Sequence, residues 1–187
     1  MDPKQSVEII TEMINNTREN VKDSSVFFIF WGWLVFISAG GHYTLMVFTD
    51  YEMPWIFWPI LMPLGGVVSG IIGSRMEKKQ GYSTHYDRAL VYVWGGFIML
   101  MVFLLIFMVH HGYMKTYPII MACYAMGSFV TGGIIKFRAL IMGATVGFML
   151  AVVALFATFE HQLLLMAASI VATYLVPGYL LKSSGRV

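Results

Sequence analysis

The stretch PWIFWPILMPLGGVVSGIIGSRMEKK, residues 54–79, decides the fold of this chain. Its first part is uncharged and apolar over about 20 residues, the length that a helix needs to cross the hydrocarbon core of a bilayer. Three prolines and four glycines lie in it, and the basic residues Arg75, Lys78 and Lys79 follow at its end. This combination predicts a transmembrane helix whose last turn faces the cytoplasm.

The composition of the whole chain agrees with a membrane protein. Of its 187 residues 58% are hydrophobic and 12% are charged, and the mean hydropathy is +0.73. These values lie outside the range of soluble globular domains, so we expect the bilayer as solvent and no nucleic-acid partner. The single Cys123 excludes an internal disulfide and a metal site made of cysteines alone.

Apolar runs of span length recur along the chain and use up most of it. The predicted spans are 26–48, 55–74, 89–109, 118–135, 139–159 and 163–181. They form a transmembrane domain over residues 26–182, followed by a short tail over residues 183–187. The predicted fold class is therefore an all-α membrane protein, a six-transmembrane-helix bundle.

The basic residues predict the orientation of this bundle. With six spans, eleven of the twelve Lys and Arg residues fall on the side of the termini, and Lys115 alone falls on the other side. Cytoplasmic loops are the ones enriched in Lys and Arg. Both termini are therefore predicted to face the cytoplasm of a bacterial inner membrane.

The first 25 residues predict an amphipathic cytoplasmic helix. Asp2 suits the N-cap position and Pro3 the first helical position, and apolar residues then recur at spacings of three and four. With five acidic residues against three basic ones, an anionic leaflet would not attract this helix strongly, and adsorption to the membrane surface is the alternative. We therefore expect this helix to contact its own bundle, a sister subunit in a homo-oligomer, or a cytoplasmic protein partner.

Small residues at a spacing of four predict faces on which helices approach closely. Such spacing permits backbone-to-backbone packing in membranes, and a glycine-lined permeation path is the alternative interpretation. Part of the second span, Gly65 to Ile72, resembles Gly127 to Ile134 of the fourth, either as an internal repeat or by chance convergence of small residues at helix contacts. The predicted helix-packing residues are Ser69, Gly73, Gly127, Thr131, Gly143 and Gly147.

The prolines and glycines of the second span predict its deformable part. Pro59 and Pro63 each remove a backbone hydrogen bond inside the apolar run, which favours a kink. Kinked spans line binding sites in some transporters, although a kink more often fits a helix around its neighbours. The residues predicted for a path or hinge are Pro59, Pro63, Gly66 and Gly70.

Histidines and carboxylates recur near the predicted outer ends of the spans. These residues are His42, His110, His111, His161, Asp50, Glu52 and Glu160. Imidazole and carboxylate bind zinc or nickel, and the neighbouring Met108 and Met114 would suit copper(I). A pH-responsive site, a haem between His42 and His110, and plain solvated side chains are the alternatives. No resident cofactor is predicted, with a divalent metal or copper as the alternative.

Several short patterns resemble a known group of proteins. They are Ser6-x-x-Ile9-Ile10-x-x-Met13-Ile14, Phe30-Trp31-Gly32-Trp33, and Ser83-Thr84-His85-Tyr86-Asp87-Arg88 ahead of Val93-Trp94. Together they are similar to uncharacterised small multi-span inner-membrane proteins of Bacteroidota-type bacteria. The resemblance implies a bacterial inner membrane and transfers no activity or site.

The absence of certain motifs limits the function classes. No predicted span carries Asp, Glu, Lys or Arg at its middle, where an ion-coupled transporter keeps its coupling charge. The chain also lacks a nucleophile-and-base pattern and a phosphate-binding glycine loop, so we predict no catalytic residues and no enzyme. We expect a non-enzymatic accessory, sensor or scaffold protein with a cytoplasmic partner-binding face. The alternatives are an uncoupled channel or small-solute carrier lined by the second and fourth spans, and an outer-face metal- or pH-responsive protein.

Overall fold

The computed structural model describes the backbone of residues 3–80 and 85–184, and the side chains of residues 25–75 and 88–184. All regular elements in these ranges are helical, which confirms the predicted all-α class. The helices are α1 Pro3–Phe48, α2 Phe57–Gln80, α3 His85–His111, α4 Tyr113–Ile134, α5 Arg138–Ala154, α6 Phe159–Ile170 and α7 Val176–Ser184. A 3₁₀ turn, Pro54–Ile56, precedes α2, and a π-helical segment, Val171–Leu175, joins α6 to α7 in one continuous rod.

Five helical stretches are long and apolar enough to cross a membrane. They are Ser25–Phe48, Pro54–Arg75, Arg88–His111, Tyr113–Ile134 and Phe159–Ser184. The helix α5 is also apolar but has 17 residues. It ends five residues before the predicted limit of the fifth span, because the N–H groups of residues 155–157 each donate to the carbonyl three residues earlier and turn the chain.

The helix α1 is a single element of 46 residues. The helix predicted for residues 1–25 therefore continues into the first span, where we expected two elements; no glycine or proline lies between Lys4 and Val26 to separate them. Two predicted partner surfaces, the side chains before Ser25 and most of the loop 75–88, lie outside the described residues.

Two tight connections fix the helix order. Between α4 and α5, Lys136 adopts a left-handed conformation with φ of 56°. Its N–H donates to the Gly133 carbonyl at 3.3 Å and the Phe137 N–H to the Gly132 carbonyl at 2.8 Å, which is the Schellman pattern of a helix end. Between α3 and α4, Gly112 alone makes the turn. Its φ of 86° and ψ of 158° are a conformation that glycine adopts readily and other residues rarely adopt.

Four rods form the core: α1, α4, α5 and the α6–α7 rod. The α6–α7 rod contacts α1, α4 and α5, and α4 and α5 also contact each other. Together the rods enclose the largest fully buried side chains, which include Tyr174, Met121, Leu140 and Met166. The helix α2 packs against α1, and α3 packs against α4. We call α2 and α3 the flanking helices, because in the described ranges their backbones approach no other helix of the core closely.

Candidate functional site

An aromatic cluster lies at the end of the bundle that carries the connections at residues 49–53, 112 and 155–158, here called the loop end. Its rings are His42, Trp58, Tyr113, Tyr117 and Phe159. The Phe159 ring is the centre of the cluster, with centroid distances of 4.4 Å to Tyr113, 5.1 Å to Tyr117 and 5.4 Å to His42. The cluster therefore ties α1, α4 and α6 together, and the Trp58–Tyr117 contact at 5.9 Å adds α2.

His42 is a packed member of this cluster with an exposed fraction of 4%. The Trp58 indole N–H donates to His42 Nδ1 at 3.1 Å. Since an indole nitrogen only donates, Nδ1 must be the unprotonated nitrogen, and the neutral ring carries its proton on Nε2. His42 therefore joins α1 to α2 as a hydrogen-bond acceptor.

The other predicted metal or pH-sensing residues are spread over the loop end. His110, His111, His161, Asp50, Glu52 and Glu160 are all exposed. The His111 ring stacks on Phe107 at 4.1 Å, and His161 Nδ1 lies 2.7 Å from Thr158 Oγ1. Within the described ranges no three His, Cys, Asp or Glu residues form a group that could hold a metal ion. The histidines share a level along the bundle but do not assemble into a ligand set.

The residues predicted for a path or hinge lie on the outer surface of α2. Pro59 is in the first turn, where the backbone N–H has no intrahelical acceptor, while Pro63 is inside the helix and removes the bond to the Pro59 carbonyl. All four residues are exposed. A Cβ added at Gly66 or Gly70 would meet no atom within 4 Å. These positions therefore face away from the core and from α4.

The predicted packing residues fall into two groups. Ser69 accepts a hydrogen bond from the Trp31 indole at 2.9 Å, whereas a Cβ at Gly73 would meet no atom within 4 Å. Gly127 faces Trp94, and Thr131 is buried. On α5, a Cβ at Gly143 would overlap the Ala172 carbonyl oxygen, and a Cβ at Gly147 would overlap the Thr173 methyl group. Ser69, Gly127, Thr131 and the α5 glycines thus lie against other parts of the protein, and Gly73 does not.

The π-helical segment has a cause in the sequence. The Val176 N–H donates to the Val171 carbonyl, five residues earlier. In this register the next donor would serve the Ala172 carbonyl, but that donor position is Pro177, which has no N–H. The Ala172 carbonyl oxygen instead lies beside Gly143, in space that a Cβ at this position would occupy.

Four buried hydroxyl groups beside this segment have no hydrogen-bond partner among the described residues. They belong to Ser128, Thr131, Ser169 and Tyr174. The Tyr174 hydroxyl lies within electrostatic reach of the Ser128 side chain without forming a bond of good geometry. In contrast, nine other Ser and Thr hydroxyls of the helices donate to a carbonyl three or four residues earlier. Ser128 and Tyr174 therefore place two neutral hydroxyl groups near each other inside the core.

Gln162 was missed in the sequence because it follows the exposed Glu160 and His161. It has an exposed fraction of 1%. Its side-chain nitrogen lies 3.0 Å from the Met114 carbonyl, 3.0 Å from the Ala154 carbonyl and 3.3 Å from the Ala157 carbonyl. Carbonyl oxygens only accept hydrogen bonds, so the group of the Gln162 amide that faces these three carbonyls must be the NH₂ group. Gln162 therefore holds α4, α5 and α6 together at the loop end.

Two tryptophans of the flanking helices point inward. Trp58 joins the aromatic cluster at the loop end. Trp94, on α3, has its ring centroid 6.0 Å from Phe28 and 6.3 Å from Tyr174. Each flanking helix thus places one tryptophan against the core. Trp94 lies more than one helical turn inside the predicted span 89–109, and this position could have indicated a contact with the core.

Comparisons with family models, with curated proteins and with solved structures find no match for this chain.

Proposed function

We propose that this chain is a non-enzymatic integral protein of a bacterial inner membrane that serves as an accessory, sensor or scaffold subunit. The observation that carries the proposal is the uncovered surface of the flanking helices. Only 6% of the apolar window of α2 and 6% of that of α3 is buried within the chain. Two long apolar helices attached to a well-packed core are suited to contact lipid and the transmembrane helices of a partner.

The proposed topology has six spans, with both termini in the cytoplasm. The distribution of basic residues, eleven on one side and one on the other, supports it. The helix α5 is the sixth member of the set. Its 17 residues rise about 26 Å, which is at the short end of what crosses a bilayer.

Partner contact is proposed at two surfaces. The first is the cytoplasmic face formed by the start of α1 and the polar loop 75–88, where charged residues concentrate. The second is the exposed glycine face of α2, where Gly66 and Gly70 leave room for another helix backbone. A sister copy and a different membrane protein are both partners of suitable chemistry.

A channel or small-solute carrier between the second and fourth spans is less favoured. The aromatic contact between Trp58 and Tyr117 occupies the place where such a path would open at the loop end. The centre of the core contains the side chains of Met121, Tyr124 and Tyr174. No Asp, Glu, Lys or Arg is buried in the described ranges, so the core offers no coupling charge.

Site-specific photo-crosslinking in native membranes tests the proposal. A photoreactive amino acid would replace Val67 on α2 or Met99 on α3, with exposed fractions of 63% and 74%. The matched control is Met149 on α5, which is 62% exposed. We expect a discrete protein adduct from positions 67 and 99 and lipid adducts alone from position 149.

Two results would count against this function. One is the absence of protein adducts from both flanking helices in native membranes. The other is rapid solute entry into vesicles that contain the purified protein, compared with empty vesicles, which would favour the channel instead.

A further inference from the structure

An open apolar groove of about 480 Å³ runs along one face of α1. Six α1 residues line it at helical spacings of three and four, together with one residue of α7: Val26, Ile29, Phe30, Trp33, Leu34, Ile37 and Lys182. From Val26 to Ile37 the helix rises about 16 Å. This is close to half of the roughly 30 Å hydrocarbon core of a bilayer, so the groove has the depth of one leaflet.

Neighbouring helices pack against two of the α1 residues that line the groove, Leu34 and Trp33. On one side α2 approaches α1 where Leu34 packs against the Cα of Gly65. On the other side the Trp33 indole donates to the Tyr179 hydroxyl of α7 at 3.1 Å. The rod approaches closely here because Gly178 has no side chain to separate it from Phe28 and Ile29. The groove is therefore a fixed feature of the α1–α7 contact.

Among the described residues that line the groove, Lys182 alone carries a charge, and it lies at the shallow end. It follows Gly178 by one helical turn, and Gly178 lies beside Phe28 and Ile29. Lys182 is thus level with the start of the apolar stretch Ser25–Phe48, where a headgroup region would begin. Its exposed ammonium group on a flexible stem can reach a phosphate there.

We propose that this groove binds one anionic phospholipid from the leaflet at the end of the bundle that carries the C-terminus. One acyl chain lies along Phe30, Leu34 and Ile37, and the headgroup phosphate pairs with Lys182. An apolar groove of one-leaflet depth with a cation at its end suits a phospholipid better than it suits a second helix. A second helix would need an uncharged face along the whole groove. The inference rests on the membrane location of the proposed function and not on its partner.

Native mass spectrometry of the purified full-length protein tests the site. The probes are phosphatidylglycerol and phosphatidylcholine with identical acyl chains, added in equal amounts. For one basic residue near the headgroups we expect the wild type to bind the anionic lipid about fivefold more strongly. Lys182→Gln should bring this preference close to one. The matched control Lys136→Gln, an exposed lysine of the α4–α5 turn at the same end, should keep it within twofold of the wild type.

A second measurement excludes a folding defect. Phosphatidylglycerol should raise the unfolding temperature of the wild type and of Lys136→Gln, and leave that of Lys182→Gln unchanged. Equal binding of the two lipids by the wild type would overturn the inference. So would an undiminished preference in Lys182→Gln, an equal loss in Lys136→Gln, or a second protein chain found on this face in place of lipid.

Extraction of the membranes with alkaline carbonate separates the two proposals. If the protein is released, the membrane location fails and both proposals fall with it. If the protein stays in the membrane and shows no lipid preference, the lipid site alone is wrong.

Discussion

In the core helix α4, 56% of the apolar stretch is buried, and in the flanking helix α3 only 6% is, although α3 is the more apolar of the two. In a soluble protein the more apolar helix would be the more buried one. In a bilayer, lipid tails solvate Leu and Phe side chains as well as a neighbouring helix does. Small and polar residues, rather than apolar ones, therefore determine which helices are buried. The core of this chain accordingly contains Gly147, Ser169 and Thr173 at its closest contacts.

The two regions are also held in different ways. The core helices contact one another through backbone-close positions such as Gly143 and through the three carbonyl contacts of Gln162. The flanking helices are held by a few long side chains, chiefly Trp58 and Trp94. Substitutions should therefore have large effects in the core and small effects on the flanks.

The largest expected effect is at Gly143. Replacement by leucine places a side chain against the Ala172 carbonyl and should destabilise the protein by about 3 kcal/mol. Unfolding in detergent, followed by circular dichroism, measures the loss. The matched control is Gly70→Leu on α2, where an added Cβ meets no atom within 4 Å, and we expect a change below about 0.5 kcal/mol. Equal losses at the two positions would remove the distinction between core and flank.

A smaller loss is expected at Gln162. Its replacement by leucine leaves the Met114, Ala154 and Ala157 carbonyls without this donor and should cost about 2 kcal/mol of unfolding free energy. The neighbouring substitution His161→Leu removes one exposed contact to Thr158 and serves as the control, with an expected change near zero. A harmless Gln162→Leu would mean that the loop end is held by its aromatic cluster alone.

At the flanking helix α2 the expected effect is smaller again. Trp58→Phe keeps an aromatic ring but leaves His42 Nδ1 without its donor, which should cost about 1 kcal/mol. Trp55→Phe changes a tryptophan three residues earlier that is 49% exposed, and it should have no measurable effect. If Trp55→Phe proves the more harmful, α2 is anchored at its exposed face and not at the core.

The smallest effect is expected at the buried hydroxyl group of Ser128. Ser128→Ala removes a hydroxyl group that has no hydrogen-bond partner among the described residues, so stability should stay the same or rise by less than about 1 kcal/mol. Thr173→Val removes a hydroxyl that donates to the Ser169 carbonyl at 2.7 Å and should lower stability slightly. A clear loss in Ser128→Ala would show that this hydroxyl has a partner, for example a bound water molecule.

The sequence predicted the helical class and the short connection between the fourth and fifth spans, because apolar runs and their charged ends signal both directly. It did not identify which face of α2 meets the protein. Gly65 and Ser69 alternate with Gly66 and Gly70 on a helix that is apolar all round, so periodicity gives no inner face. The structure packs Gly65 and Ser69 against Trp31 and leaves the other pair exposed.

The histidine prediction shows a second limit. Span ends indicate the level of a residue along the bundle but not its position around it. His42 therefore lies inside the core, while His110 and His161 lie on its surface. The π-helical segment could not be predicted from the sequence for a related reason. Pro177 indicates a perturbed helix, but Gly143, beside which the Ala172 carbonyl lies, belongs to another helix.

Excision of the two flanking helices tests the division into core and flanks most directly. The helix α1 ends and α4 begins at the loop end, so a short Gly/Ser linker in place of residues 50–111 removes both flanking helices and preserves the direction of every core helix. We predict that the excised protein in detergent still unfolds in one cooperative transition, at a lower temperature than the full chain. Loss of the cooperative transition would contradict the account, because α2 and α3 would then be part of the core.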